Sequence, residues 1–152
     1  KELNKIAEEG QKIKEFLVNA IDEDTNAFDK VIKAMRMPKD SDREKRLREE
    51  KMQKGYKAAT EIPLKTVEYC CKALEICEQI AKLMDDSMAS DVGSGAHMSM
   101  AGARSAAYNV KINLTSIKDK KYISETEKKL NLLLSNCGKL LEVISKKVET
   151  KL

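Results

Sequence analysis

Tryptophan is absent from the 152-residue chain, proline and phenylalanine occur twice each, and glycine only six times. So small a supply of turn formers and aromatic residues excludes a fold of many short strands and tight turns, and leaves long helices. One histidine, His97, and four cysteines without a C-x-x-C pair cannot furnish the usual zinc clusters, so no metal is expected. Tandem Cys70 and Cys71 also lack a histidine nearby in sequence to activate a thiolate, and the cysteines read as reduced, mostly buried thiols of a cytoplasmic protein. No apolar run approaches the ~18 residues of a membrane helix, and no basic-then-apolar leader opens the chain; no membrane partner is expected.

What the chain has in abundance is Lys, Glu, Leu, Ala and Met, with 36% charged and 41% hydrophobic residues. Its length fits one domain over residues 1–152. The 29 basic and 25 acidic residues give a net charge of +4 but interleave, as in "KDSDREKRLREEKMQKGYK", which is the pattern of solvated helix faces and reserves none for nucleic acid. The small positive excess favours attraction of a small anion.

Apolar periodicity organises the chain. Leu3, Ile6, Gly10, Ile13, Leu17, Ala20, Asp24, Ala27, Val31 and Ala34 follow a three-four alternation, predicting one long amphipathic helix that ends near Pro38. Ser41 with Glu44 forms a capping box for a second helix, within which Pro63 marks either a kink or a new start. The Ser, Asp and Gly of "DDSMASDVGSG" (85–95) predict the main loop, with Ser90 or Asp91 capping a central helix rich in Ala, Gly and Ser. "TSIKDKKY" predicts a turn, and Ser124 with Glu127 a cap for a last helix whose seam runs Leu130, Leu133, Leu134, Cys137, Leu140, Leu141, Ile144, Val148. The fold class is all-α, a bundle of long helices. The long seams offer more apolar surface than a monomer of this size readily covers, which predicts a homodimer.

Asp24 interrupts the first seam, with Ile21 and Phe28 to one side and Ala20 and Ala27 to the other. Desolvation there would raise its pKa toward the range useful for proton transfer; the alternatives are a polar residue that fixes helix register or an interhelical ion pair. Asp22 falls on the opposite side of the helix, toward solvent. Asn109 and Asn113, at i and i+4, share one face and can either read the edge of a heterocycle or bond between helices. "SDVGSG" can hold an anion at a helix N-terminus or merely cap it. His97 reads as structural, and the methionines as core filling.

Taken together and in order, "DEDTNAFDKVIKAMRMPK", "EIPLKTVEYC" and "SDVGSGAHMSMAGARSAAYNVKINL" resemble the cyclodeaminase family of folate enzymes, which includes stand-alone methenyltetrahydrofolate cyclohydrolases. The resemblance implies a dimeric all-helical enzyme with no cofactor beyond its tetrahydrofolate substrate. It matches the family's acidic pair to Asp22 and Asp24, as catalytic residues, and its Phe, loop Lys and loop Asp to Phe28, Lys39 and Asp91, as substrate-binding residues beside Asn109 and Asn113. It also implies a preceding Gly-rich segment that this sequence lacks; the already helical pattern at Lys1 separately predicts that something upstream is missing. The implied reaction is closure of a methenyl bridge on 5-formiminotetrahydrofolate with loss of ammonia; water opening the same bridge is the alternative. A non-catalytic helical scaffold is the rival reading from another class.

Overall fold

The computed structural model describes residues 2–152, of which four long helices form nearly all: α1 (Glu2–Met35), α2 (Asp42–Leu83), α3 (Ala89–Leu114) and α4 (Lys120–Glu149). One 3-10 turn, Asp86–Met88, precedes α3, and there is no strand among the described residues. The central element is α2, about 63 Å long at 1.5 Å per residue; α1, α3 and α4 all pack on it, and α3 packs on α4. The backbone of α1 approaches α2 alone and stays clear of α3. This separation leaves open the cleft described below.

The core lies between α2, α3 and α4, where Val67, Leu74, Val110, Leu130, Cys137 and Ile144 are fully enclosed. Burial of each large aliphatic side chain contributes about 1.5–3 kcal/mol. On α1 the predicted seam is buried at Ile6, Ile13, Ala20, Ala27, Val31 and Ala34, whereas Leu3 is exposed. Small residues set the helix separations. A Cβ on Gly55 would stand 3.0 Å from Val31 Cγ2 and 3.3 Å from Val31 Cα, so only glycine lets α1 lie this close to α2.

The Ser41–Glu44 capping box is formed at the start of α2. Pro63 does not restart the helix, which continues through it from Asp42 to Leu83. It removes the N–H that would bond the carbonyl of Ala59, and Asn113 Nδ2 donates to that carbonyl from α3 at 2.9 Å instead.

Three expectations are corrected. The stretch 85–95 is mostly helix: Met84 and Asp85 are the only residues between α2 and the 3-10 turn, and α3 begins at Ala89 with Met88 as an N-cap that makes no side-chain bond, so neither Ser90 nor Asp91 caps it. Glycine there serves packing rather than turning, since a Cβ on Gly93 would come 3.1 Å from Val148 Cγ1. The last helix begins a turn earlier than Ser124, because Asp119 accepts bonds from the N–H groups of Lys121 and Tyr122, both at 3.1 Å, and is itself anchored by Lys57 at 2.7 Å. Cys71 and Cys137 are not separate thiols: packing of α4 on α2 brings their Cα atoms to 5.3 Å and they form a disulfide, leaving Cys70 and Cys77 free.

Candidate functional site

A cleft runs between α1 and α3 over a floor of α2, with two lobes of about 250 and 470 Å³. Asp24 of α1 and Asn109 of α3 line both lobes and so stand at the waist between them. The smaller lobe is largely apolar, lined by Leu17, Ile21, Ile62 and Pro63. The larger lobe adds Phe28, Tyr56, Asn113 and Ser116. Its size suits a drug-sized ligand, and its aromatic walls with a few convergent polar groups suit a flat heterocycle.

Asp24 makes no hydrogen bond and no ion pair with any described residue. It is not enclosed as its place in the apolar seam suggested, because α1 does not close on α3 and its carboxylate remains open to the cleft. The surrounding apolar walls nevertheless desolvate it enough to lift its pKa above the ordinary aspartate value. An unpaired carboxylate of raised pKa beside a cavity can take up a proton and return it.

The two asparagines divide their work. Asn113 is half-buried and its Nδ2 is committed to Ala59, so its Oδ1 is the atom left over for a ligand. Asn109 is exposed and makes only a long 3.5 Å bond to Ser105 within its own helix, leaving the amide available. Phe28, 45% exposed, presents its ring to the larger lobe. Tyr56 escaped the sequence reading because it sits in a highly charged stretch with no apolar run around it.

Asp22, Lys39 and Asp91 are not brought to this cleft. Asp22 lies exposed on α1, and Lys39 is exposed in the connection between α1 and α2. Asp91 is in the first turn of α3, 18 residues and hence about 27 Å along the helix from Asn109. No group of three or more His, Cys, Asp or Glu side chains is arranged to hold a metal among the described residues. No helix among them is long and apolar enough to cross a membrane.

Comparison with known proteins bears on the fold and the family. Over 150 residues the chain is 33% identical to a methenyltetrahydrofolate cyclohydrolase of Methylorubrum extorquens, covering 99% of this chain and 72% of that protein. It is 33% identical over 118 residues to the formimidoyltransferase-cyclodeaminase of Gallus gallus, covering 78% of this chain but 22% of that longer protein. Its fold matches the crystal structure of a formiminotetrahydrofolate cyclodeaminase from Thermotoga maritima with a TM-score of 0.87, over 98% of this chain and 70% of that one, at 22% identity. Residues 1–132 match the family described as formiminotransferase-cyclodeaminase. With residues 1–132 of its 152 inside that match and a third of its residues shared with a relative along almost the whole chain, the protein belongs to the formiminotransferase-cyclodeaminase family.

Proposed function

We propose that the protein is a formiminotetrahydrofolate cyclodeaminase, converting 5-formiminotetrahydrofolate to 5,10-methenyltetrahydrofolate and ammonia. The observation that carries this reading is the unpaired Asp24 carboxylate of raised pKa at the waist of an aromatic-walled cleft, beside the free amide of Asn109. In the protonated formimino substrate the N10 lone pair attacks the one-carbon unit and forms the new C–N10 bond. Asp24 takes the N10 proton and returns it to the amino group on the same carbon. The C–N bond to the resulting ammonium group then breaks, ammonia leaves, and the positive charge stays on the methenyl bridge. Asp24, ionised again at that point, stabilises the cation. Holding the reacting atoms together and moving this proton contributes on the order of several kcal/mol to lowering the barrier. Phe28 and Tyr56 provide faces for the pterin ring, and Asn109 and the Oδ1 of Asn113 are placed to read its edge.

A second reading, methenyltetrahydrofolate cyclohydrolase, is favoured by the relative of that name, which matches 99% of this chain. There water attacks the same cationic carbon and Asp24 takes the water proton. Incubation with 5-formimino- and with 5,10-methenyltetrahydrofolate in separate reactions, followed by methenyl absorbance and ammonia release, decides between them. Methenyl formation with stoichiometric ammonia supports the first, methenyl loss without ammonia the second, and no turnover of either refutes both.

The same reading makes the protein a cytoplasmic homodimer that binds neither nucleic acid nor membrane. Exposed Ile21, Tyr108 and Ile112 along α1 and α3 support the dimer. Light scattering at micromolar concentration tests it: twice the monomer mass is expected, and a clean monomer counts against it.

A further inference from the structure

On the other side of the α1–α2 pair lies a groove of about 530 Å³, larger than either lobe of the cleft. Its rim is Lys30 and Lys33 on α1 and Lys51 and Lys54 on α2, and no carboxylate lines it. The floor follows from helical periodicity at Ala34, Gly55 and Ala58, each four positions after a rim lysine, and Met37, just past the end of α1, completes it. Lys33 is nine residues beyond Asp24, about 180° around the axis of α1, so groove and cleft face away from each other.

The usual account of lysines on a charged helix is pairing with acids one turn away, as in the Lys82–Glu78 and Lys146–Glu142 pairs here. The four rim lysines form no ion pair with any described residue, although Asp29 and Glu50 stand one turn before Lys33 and Lys54. Four uncompensated ammonium groups around one apolar floor create a local positive potential without a partner in the fold.

We propose that this groove binds a small polyanion with an apolar, flat body, the body on Met37 and the alanines and the anionic groups on the facing lysine pairs. Size selects the class. The groove takes in only the end of α1, from Lys30, and the two residues that follow the helix, about 10 Å at helical rise, too short to seat a partner helix but within the range of small-molecule sites. Ammonium groups act as point charges that accept carboxylate and phosphate alike, so either can supply the anion. The inference is independent of the folate reading, since the groove shares no lining residue with the cleft.

Isothermal titration of the whole protein with ATP, with benzene-1,2,4,5-tetracarboxylate and with sulfate tests it, alongside the double variant Lys33→Gln/Lys54→Gln, whose sites are exposed. At least one of the two aromatic polyanions is expected to bind with a Kd below about 1 mM and to weaken about tenfold or more in the double variant, while sulfate, which has charge but no body, does not bind. Which of the two binds identifies the anionic group as phosphate or carboxylate; binding of both makes the shared chemistry sufficient. The proposal is overturned if neither binds, if sulfate binds as tightly, or if binding is the same in the double variant. Folate turnover in that variant is expected to stay within about twofold of wild type, which separates failure here from failure of the cleft assignment.

Discussion

The same two helices present opposite chemistry on their two sides. Toward α3, the α1–α2 pair offers one unpaired carboxylate, two aromatic rings and two amides from across the cleft; away from α3 it offers four unpaired lysines over small apolar residues. Between them, Ala27, Val31 and Ala59 form a thin buried seam. The difference teaches that a pair of helices packed through small residues has two grooves whose character is set independently, because side chains a few residues apart point to different sides. Asp24 is perturbed by lost solvent, which lifts its pKa.

Breaking the cleft should have the largest effect. Asp24→Asn keeps shape and most hydrogen bonding but removes the proton acceptor, so folate turnover should fall by about two to four orders of magnitude with folate binding retained. Retained turnover would remove Asp24 from the chemistry.

Breaking the seam tests both grooves at once. Gly55→Ala places a Cβ against the backbone of Val31 and should cost about 1–3 kcal/mol, read from chemical denaturation, by prising α1 off α2. Turnover should fall with it; an unchanged stability would show that α1 can shift without loss.

The two asparagines sharpen the contrast between a structural and a ligand-facing amide. Asn113→Ala leaves the Ala59 carbonyl without a partner opposite Pro63 and should cost about 1–2 kcal/mol, whereas Asn109→Ala should cost less than about 0.5 kcal/mol and raise KM instead. Equal stability losses would mean that the 3.5 Å bond of Asn109 matters as much as the cross-helix bond.

Smallest is the effect of Asp24 on stability itself. Its folded pKa is raised, so the native state holds the proton more tightly than the unfolded state, and its contribution to stability declines as pH rises from the unfolded aspartate value through the folded one. At neutral pH Asp24→Asn should therefore leave stability unchanged or slightly higher, with the midpoint of urea unfolding as the readout. A clear loss would make Asp24 a structural residue.

Much of this architecture is legible in the sequence because helices advertise themselves by period. The α1 seam, the Ser41 capping box and the seam of α4 require only local spacing. The continuity of α2 through Pro63 does not, because the donor that makes it tolerable comes from Asn113, 54 residues from the carbonyl it serves. Gly93 and Ser90 look like a loop because composition cannot tell a glycine that turns from one that admits a neighbouring helix; here Val148 decides. Asp24 and the asparagine pair stand out by position, yet the exposure of Asp24 depends on how far α1 stays from α3, which no local pattern encodes. Asp22, Lys39 and Asp91 entered through family resemblance alone, and the cleft of the single chain contains none of them.

The central claim is that the Asp24 carboxylate, with its raised pKa, is the proton acceptor of the cleft. The most direct measurement is the pH dependence of kcat/KM for wild type, Asp24→Asn and Asp22→Asn. Wild type should lose activity on acidification with a midpoint above the ordinary aspartate value, Asp22→Asn should keep that limb and most of the rate, and in Asp24→Asn the limb should vanish along with about two to four orders of magnitude of rate. An unchanged acid limb in Asp24→Asn, or its loss in Asp22→Asn alone, would contradict the account.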